Sequence, residues 1–250
     1  MLVLFLIWKV LFSTVLTECN VRGNSLDSES AHTLAKVATE KGVMLFGIKH
    51  DQKEANFSDQ RLGPVDAILI ASDLRVTAVM TACTLIKNNL DIESAAMLAK
   101  IATEKRIMLS GMKQDRTEAS YYNQGLKPAD AILIASDLPF MAVLTSLDVG
   151  LNSLDEEAAL GIVRAARQHD RMTFLGLARC GIGPTGAKEI AEYISVTAVL
   201  TECSLLKNNL DVESATMLAK IGTEKRIMLS GMKHKNTDTA DTTVPTISMV

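Results

Sequence analysis

The hexapeptide "GIGPTG" at 181–186 is the stretch most able to suggest chemistry. A G-x-G-x-x-G turn between a strand and a helix can cradle a pyrophosphate on free backbone amides. Three features argue against that use. Pro184 removes an amide where a phosphate would seek one. The sequences "RLGPVD" (61–66) and "GLKPAD" (125–130) fill the same slot elsewhere, so the turn reads as structural. No second βαβ half follows. His32, His50, His169 and His234 form no metal spacing with one another or with the cysteines. Cys19, Cys83 and Cys203 share a slot that is Leu147 in a fourth copy, so these thiols are expected to be buried in a reducing compartment. No Ser-His-Asp or Cys-His grouping can be assembled, and Asp155, Glu156 and Glu157 stand where a helix begins. No catalytic, metal-ligating or cofactor-binding residue is therefore assigned, and no enzyme is expected.

What positions these residues is an apolar frame written four times: "LTECNVRGNSL" (16–26), "MTACTLIKNNL" (80–90), "LTSLDVGLNSL" (144–154) and "LTECSLLKNNL" (200–210). The copies follow Val15, Val79, Val143 and Val199, at separations of 64, 64 and 56 residues. Fifty-six is twice 28, so each cycle holds two repeats, and "MTFLGLARCGI" (172–182) shows the second one clearly. In the first two cycles the second repeat survives as "EANFSDQRL" (54–62) and "EASYYNQGL" (118–126), each preceded by about eight extra residues around "GIKHDQK" and "GMKQDRT".

Within a repeat, the alternation at Leu147 and Val149 predicts a short half-buried strand. Asp27, Asp91, Asp155 and Asp211 then stand as N-caps, with Glu29, Glu93, Glu157 and Glu213 close behind where the helix dipole favours negative charge. Ala95, Leu98, Ala99 and Ala102 form one apolar helical stripe. A single repeat could not fold alone, because its strand has no partner and its stripe has nothing to cover; stacking solves both. The slot of Asn24, Asn88, Asn152 and Asn208 suits a side chain that satisfies backbone groups where the chain turns inward.

The frame L-x-x-L-x-L-x-x-[NC]-x-L followed by a full helix resembles the leucine-rich repeats of the ribonuclease-inhibitor-like subtype. "LTSLDVGLNSLDEEAA" (144–159) and "MTFLGLARCGIGPTGAKEIA" (172–191) carry the match best. Gln60 and Gln124 depart from the Asn-or-Cys preference, as do the insertions. The resemblance implies an α/β fold: a right-handed solenoid, or horseshoe, with parallel strands on its concave face and helices on its convex face. It spans residues 15–233 as seven repeats and a partial eighth. The segment "MLVLFLIWKVLFSTVL" opens the chain; residues 1–14 are expected as an apolar cap or truncated repeat, or else a signal or anchor. Residues 234–250, polar and rich in Thr, are expected to be disordered.

A net charge of −3 gives no basic field for nucleic acid, and with 48% apolar residues but 4% aromatics the core must be aliphatic. What remains is surface. The residues between the apolar ones point outward on the strand face, and the face carries Ile86, Lys87, Tyr122, Leu151, Phe174, Arg179 and Lys207. Tyr122, Phe174 and Arg179 are the expected anchors by residue type. Residues 79–113 and 199–233 differ at only seven of 35 positions, which points to internal duplication. The expected function is a cytoplasmic scaffold that binds another protein, with no cofactor and with neither nucleic acid nor membrane as partner unless residues 1–14 are a signal or anchor. Two alternatives follow from the resemblance: a regulator similar to the Ran GTPase-activating proteins, and a sensor or receptor fragment similar to NOD-like receptors.

Overall fold

A computed structural model of the chain describes residues 15–230. The expected cap at 1–14 and the expected tail at 234–250 lie outside the described residues. Short parallel strands alternate with helices throughout: α1 (Ser28–Lys41), β1 (Glu54–Asn56), α2 (Pro64–Val76), β2 (Ala82–Thr84), α3 (Ile92–Lys105), β3 (Glu118–Ser120), α4 (Pro128–Asp137), β4 (Ser146–Asp148), α5 (Glu156–Ala166), β5 (Phe174–Gly176), α6 (Pro184–Val196), β6 (Glu202–Ser204), α7 (Val212–Lys225) and β7 (Met228–Ser230). The described residues divide into two compact units, one running to Met112 with Ile132–Asp137 added, the other comprising Lys113–Ala131 and the residues from Leu138 onward.

The helices alternate between two ways of starting. Those of the first kind, α1, α3, α5 and α7, begin at the expected aspartates, whose carboxylates accept from the amides of Ser30, Ser94, Ala158 and Ser214. Three of the four, α1, α3 and α7, stop at a left-handed residue, Gly42, Arg106 or Arg226, whose amide returns to two carbonyls of the last turn. The second kind, α2, α4 and α6, open on proline, which lacks an amide that the first turn would leave unpaired. In α2 and α4 an aspartate, Asp66 or Asp130, folds back to accept from the amide of Gly63 or Lys127 at 2.8 Å.

In the second compact unit, β3 to β7 form one five-stranded parallel sheet. Ala119, Leu147, Leu175, Cys203 and Leu229 stand in register along it. The last four are sealed from solvent, and Val163, Ile190, Ile194 and Leu218 of the helices are buried with them. The predicted stripe of α3 is likewise buried at Ala95, Leu98, Ala99 and Ala102. Fully burying such aliphatic side chains contributes about 1.5–3 kcal/mol each, which is why the apolar positions hold while those between them vary. A threonine column precedes the strands: Thr145, Thr173 and Thr201 each donate amide and hydroxyl to the carbonyl of the threonine 28 residues earlier.

Among the described residues the named strands form two parallel sheets, one in each compact unit. In the first compact unit β1 pairs with β2 alone among the named strands, and isolated bridges join Glu18 to Met44 and Ala82 to Met108. Ordinary neighbours are 28 residues apart, as Glu54 and Ala82 are, but these bridges close after 26. The inserted residues then carry the chain away, and β1 and β3 start ten residues beyond Met44 and Met108. The inserted residues are mostly exposed, with Ile48 and Met112 turned inward. The segments just before them, Val43–Phe46 and Ile107–Ser110, are buried, and the amides of Leu45, Phe46, Leu109 and Ser110 do not bond to a strand.

A carboxylate takes the missing strand's place. Asp73 of α2 accepts from the amides of Leu45 (2.5 Å) and Phe46 (2.9 Å). Asp137 of α4 accepts from Leu109 (2.9 Å) and Ser110 (2.8 Å) and from the Ser110 hydroxyl. Both side chains are fully buried. Burial pushes each pKa up to about 6, against the pull of those donors.

Candidate protein-binding face

Three columns of side chains look outward from the second unit's sheet. The first is Glu118, Ser146, Phe174 and Glu202; the second is Ser120, Asp148, Gly176 and Ser204. Bonds from Tyr121 to Asp148, Asn123 to Gly150, Leu151 to Ala178 and Arg179 to Leu206 continue the ladder past the strands. A third column therefore holds Tyr122, Gly150, Ala178 and Leu206. Tyr122 is 48% exposed and Leu206 39%, while Phe174 is half-buried. Asp148 leans sideways across the sheet: its Oδ1 accepts from Gly150 N at 2.9 Å, and a Cβ at Gly176 would overlap its carboxylate. Gly176 is therefore part of how Asp148 is held, and the centre of the face is low between Tyr122 and Leu206.

In the first unit the face carries Glu18, Asn20, Glu54 and Asn56. Arg22 lies over Phe46 and Phe57, its guanidinium carbon 5.2 and 5.6 Å from the ring centroids, and bonds to Gln60. The two rings meet edge to face at 5.2 Å. Ile86, expected on the exposed face, is instead 7% exposed and belongs to the core. Tyr122 and Leu206, at the same position of their own repeats, are exposed, so Ile86 is the exception in this column.

Lys87, Leu151, Arg179 and Lys207 share a different constraint. Each has a left-handed backbone, with φ between 53° and 62°, as do Gly23, Asp59 and Asn123 in the same slot. This residue makes the tight turn ahead of the Asn, Gln or Cys position, so its type answers first to the turn. Arg179 and Lys207 are exposed there, whereas Lys87 and Leu151 are half-buried. A left-handed non-glycine residue costs roughly 1 kcal/mol. Lys207→Gly is accordingly expected to leave stability unchanged or to raise it by about 0.5–1 kcal/mol, read from the midpoint of urea unfolding. A clear loss would show that the lysine side chain carries structure.

The asparagine slot works as expected. Asn152 Oδ1 accepts from Gln124 N and Leu126 N, both at 3.0 Å, while Nδ2 donates to Tyr121 O and Val149 O at 2.8 Å. Asn88 and Asn208 repeat the pattern. Each asparagine ties its own strand end to the preceding repeat's loop. Gln124 folds back locally onto Ser120 O, and Gln60 does so onto Asn56 O while its side-chain oxygen accepts from Arg22.

The chemistry that the sequence raised is used up internally. Glu156 Oε1 accepts from Gly183 N (2.9 Å) and Gly186 N (2.7 Å), so the α6 N-terminus already holds the chain's own carboxylate. Gly186 occupies the slot of Asp66 and Asp130, and Glu156 replaces the acid it lacks. Burial pushes the thiols of Cys83, Cys180 and Cys203 up to about 12, far from a reactive thiolate. Among the described residues no group of three or more His, Cys, Asp or Glu could hold a metal, and no helix is long and apolar enough to cross a membrane.

No protein-family model matches the chain. Over 155 residues, 60% of the chain, it is 26% identical to the ribonuclease inhibitor of Sus scrofa. The chain is similar to a ribonuclease inhibitor. The match spans 32% of that protein, so about a third of the relative's length is represented. Among solved structures, the Caenorhabditis elegans tropomodulin C-terminal domain overlays it at 11% identity and a TM-score of 0.27, covering 76% of this chain and 90% of that one. The leiomodin-1 actin-binding site 2 does so at 13% identity and a TM-score of 0.29, covering 80% and 91%. A Bacteroides fragilis protein does so at 13% identity and a TM-score of 0.30, covering 84% and 74%.

Asp73 and Asp137 are the residues that sequence reasoning missed. Their signal was present: "DAILIASD" occurs unchanged at 66–73 and 130–137, in the two cycles with an insertion. The third cycle has no insertion, and Tyr193 fills the slot.

Proposed function

We propose that this chain is a leucine-rich-repeat scaffold that binds another protein through its strand face, with Tyr122, Phe174 and Arg179 as the main contacts and Leu151, Lys87 and Lys207 at the margin. In this reading the repeats wind as a right-handed solenoid with strands concave and helices convex, and the protein works in the cytoplasm. The similarity to a ribonuclease inhibitor supports a protein partner, since that relative is named for one. The carrying observation lies in the near-identical stretches 79–113 and 199–233. Of their seven differences, two replace Ala82 by Glu202 and Thr84 by Ser204 at the outward positions of the strand, and a third replaces Ile86 by Leu206 just beyond it. The inward Cys83 and Leu85 are kept as Cys203 and Leu205, and the charged residues of the helices are kept as well. Within the strand, change falls on the outward positions while the inward Cys83 is held. Aromatic and arginine side chains around a low centre suit a binding patch with a few dominant contacts.

The test is affinity capture with the tagged chain and with a Tyr122→Ala, Phe174→Ala, Arg179→Ala variant of unchanged circular dichroism. Loss of the same bound protein, by at least about tenfold, is expected from removing contacts of this kind. Equal recovery from both chains would reject the face.

A further inference from the structure

Related hexapeptides follow three of the helices: "MLFGIK" (44–49) after α1, "MLSGMK" (108–113) after α3, and "MLSGMK" again (228–233) after α7. The last two belong to an octapeptide, "RIMLSGMK", that is identical at 106–113 and 226–233. The methionine that opens each hexapeptide stands opposite an outward residue of the neighbouring strand: Glu18, Ala82 or Glu202. A side chain on that side of a strand meets solvent unless something lies over it. Met44 and Met108 are only 1% and 3% exposed, so their side of the strand is covered.

The glycine three residues on begins the cover. Gly47 and Gly111 turn the chain with φ of 92° and 81°, a conformation that favours glycine. A Cβ on Gly47 would stand 2.8 Å from Asn20 Nδ2, and one on Gly111 would stand 3.0 Å from Thr84 Cγ2. Each glycine therefore passes directly over the second outward residue of the neighbouring strand. The residue after it, Ile48 or Met112, is buried, and so is Ile86, two positions beyond Thr84.

In the third copy the same surface is open. Met228 is 60% exposed, and Leu206, in the place of Ile86, is exposed as well. Residues 231–233 lie outside the described residues, but their sequence is the Gly-Met-Lys of 111–113. The chain thus encodes both an uncovered apolar patch and a copy of the segment that covers its twin.

We propose that Gly231 and Met232 fold back over β7 and seat the Met232 side chain on Met228 and Leu206, making this end of the strand face a docking surface for the chain's own segment. Gly231 supplies the left-handed turn beside Ser204, which is smaller than Thr84 and leaves it room. Methionine, unbranched and flexible, suits a patch made by another methionine and a leucine. A foreign segment reaching Leu206 has to displace this strap. The proposal requires no partner on the strand face, so it stands or fails separately from that reading.

The test is methyl NMR of the full chain labelled at methionine and leucine, together with peroxide oxidation of Met228 read by mass spectrometry. Nuclear Overhauser contacts are expected from the Met232 methyl to Leu206 and Met228. Gly231→Ala forces a side chain into the left-handed region and is expected to speed Met228 oxidation by about fivefold or more. Met232→Asp sets a charge against the patch and is expected to do the same, whereas Met232→Leu keeps an apolar seat and is expected to keep the slow rate. Met108 serves as the reference, and its rate is expected to be equal in all four chains. Absence of the Met232–Leu206 contact, or equal Met228 oxidation in the parent, Gly231→Ala and Met232→Asp chains, would overturn the proposal. So would contacts that vanish on dilution, which would place the segment on a second copy.

Discussion

Asn152→Leu is expected to lower the unfolding free energy by about 4 kcal/mol or more, as four backbone groups lose their partner at roughly 1–3 kcal/mol each. The groups are the amides of Gln124 and Leu126 and the carbonyls of Tyr121 and Val149. Leucine has the branched outline of asparagine and is the larger of the two, so no cavity accounts for the loss. Two internal controls isolate the cause. Asn24 has the same place in the frame but is exposed, with its amide nitrogen on Val21 O. Asn24→Leu is expected to cost under about 1 kcal/mol, the worth of one exposed bond. Gln124→Ala removes only a local, exposed bond to Ser120 O and is expected to cost a similarly small amount, under about 1 kcal/mol. Urea unfolding of the three variants reads the comparison. A similar cost at all three positions would mean that the asparagine bonds do not join the repeats.

The second large effect belongs to Asp137, with Asp73 as its counterpart. Asp137→Ala strips the acceptor from the amides of Leu109 and Ser110 and from the Ser110 hydroxyl, at about 3 kcal/mol or more in total. The same carboxylates set a pH dependence. Their folded pKa of about 6 lies above the ordinary 3.8, so between these values the folded chain binds protons that the unfolded chain does not. Stability from this source is fully present below pH 4 and is lost as the pH rises through 6. The shift corresponds to about 3 kcal/mol for each group. Asp27, Asp91 and Asp211 act in the opposite sense, since the hydroxyl and amide of Ser94 and of Ser214, and the amide and hydroxyl of Ser30, hold them below the ordinary carboxylate range; their contribution is lost only as the pH falls further. Between pH 4.5 and 7.5 the urea midpoint is therefore expected to fall as pH rises, and to flatten in the Asp73→Asn, Asp137→Asn double variant. A midpoint that rises over this range in the parent chain would show that the donors outweigh burial.

The contrast between these two devices explains what could be read in the sequence. Asn88, Asn152 and Asn208 recur at the same place in an apolar frame, and an amide there has one plausible physical use, so their bonds were foreseeable. The aspartate caps of α1, α3, α5 and α7 were legible for the same reason, because a cap depends only on its own helix. Asp73 and Asp137 depend on something a single frame does not contain. They serve amides that become stranded only when the ladder step shortens from 28 to 26 residues. The identical octapeptides tied to the insertions were the available sign. The turn slot was also readable: Gly23, Asp59 and Asn123 are residues that tolerate a left-handed backbone, and they share a slot with Lys87, Leu151, Arg179 and Lys207. Ile86 was misplaced because alternation does not distinguish it from Tyr122 and Leu206, which stand at the same position of their repeats and are exposed. Tyr122 and Phe174 were placed by alternation and by the frame, and both reach the surface.

The claim on which the functional account depends is that a partner meets the strands and not the helices. Photo-crosslinking decides it, with p-benzoylphenylalanine replacing in turn Phe174 and Glu202 on β5 and β6, and Lys100 and Lys220, exposed on α3 and α7. The captured protein is expected to crosslink from positions 174 and 202 and not from 100 or 220. Crosslinks from the helix positions with none from the strands would contradict the account.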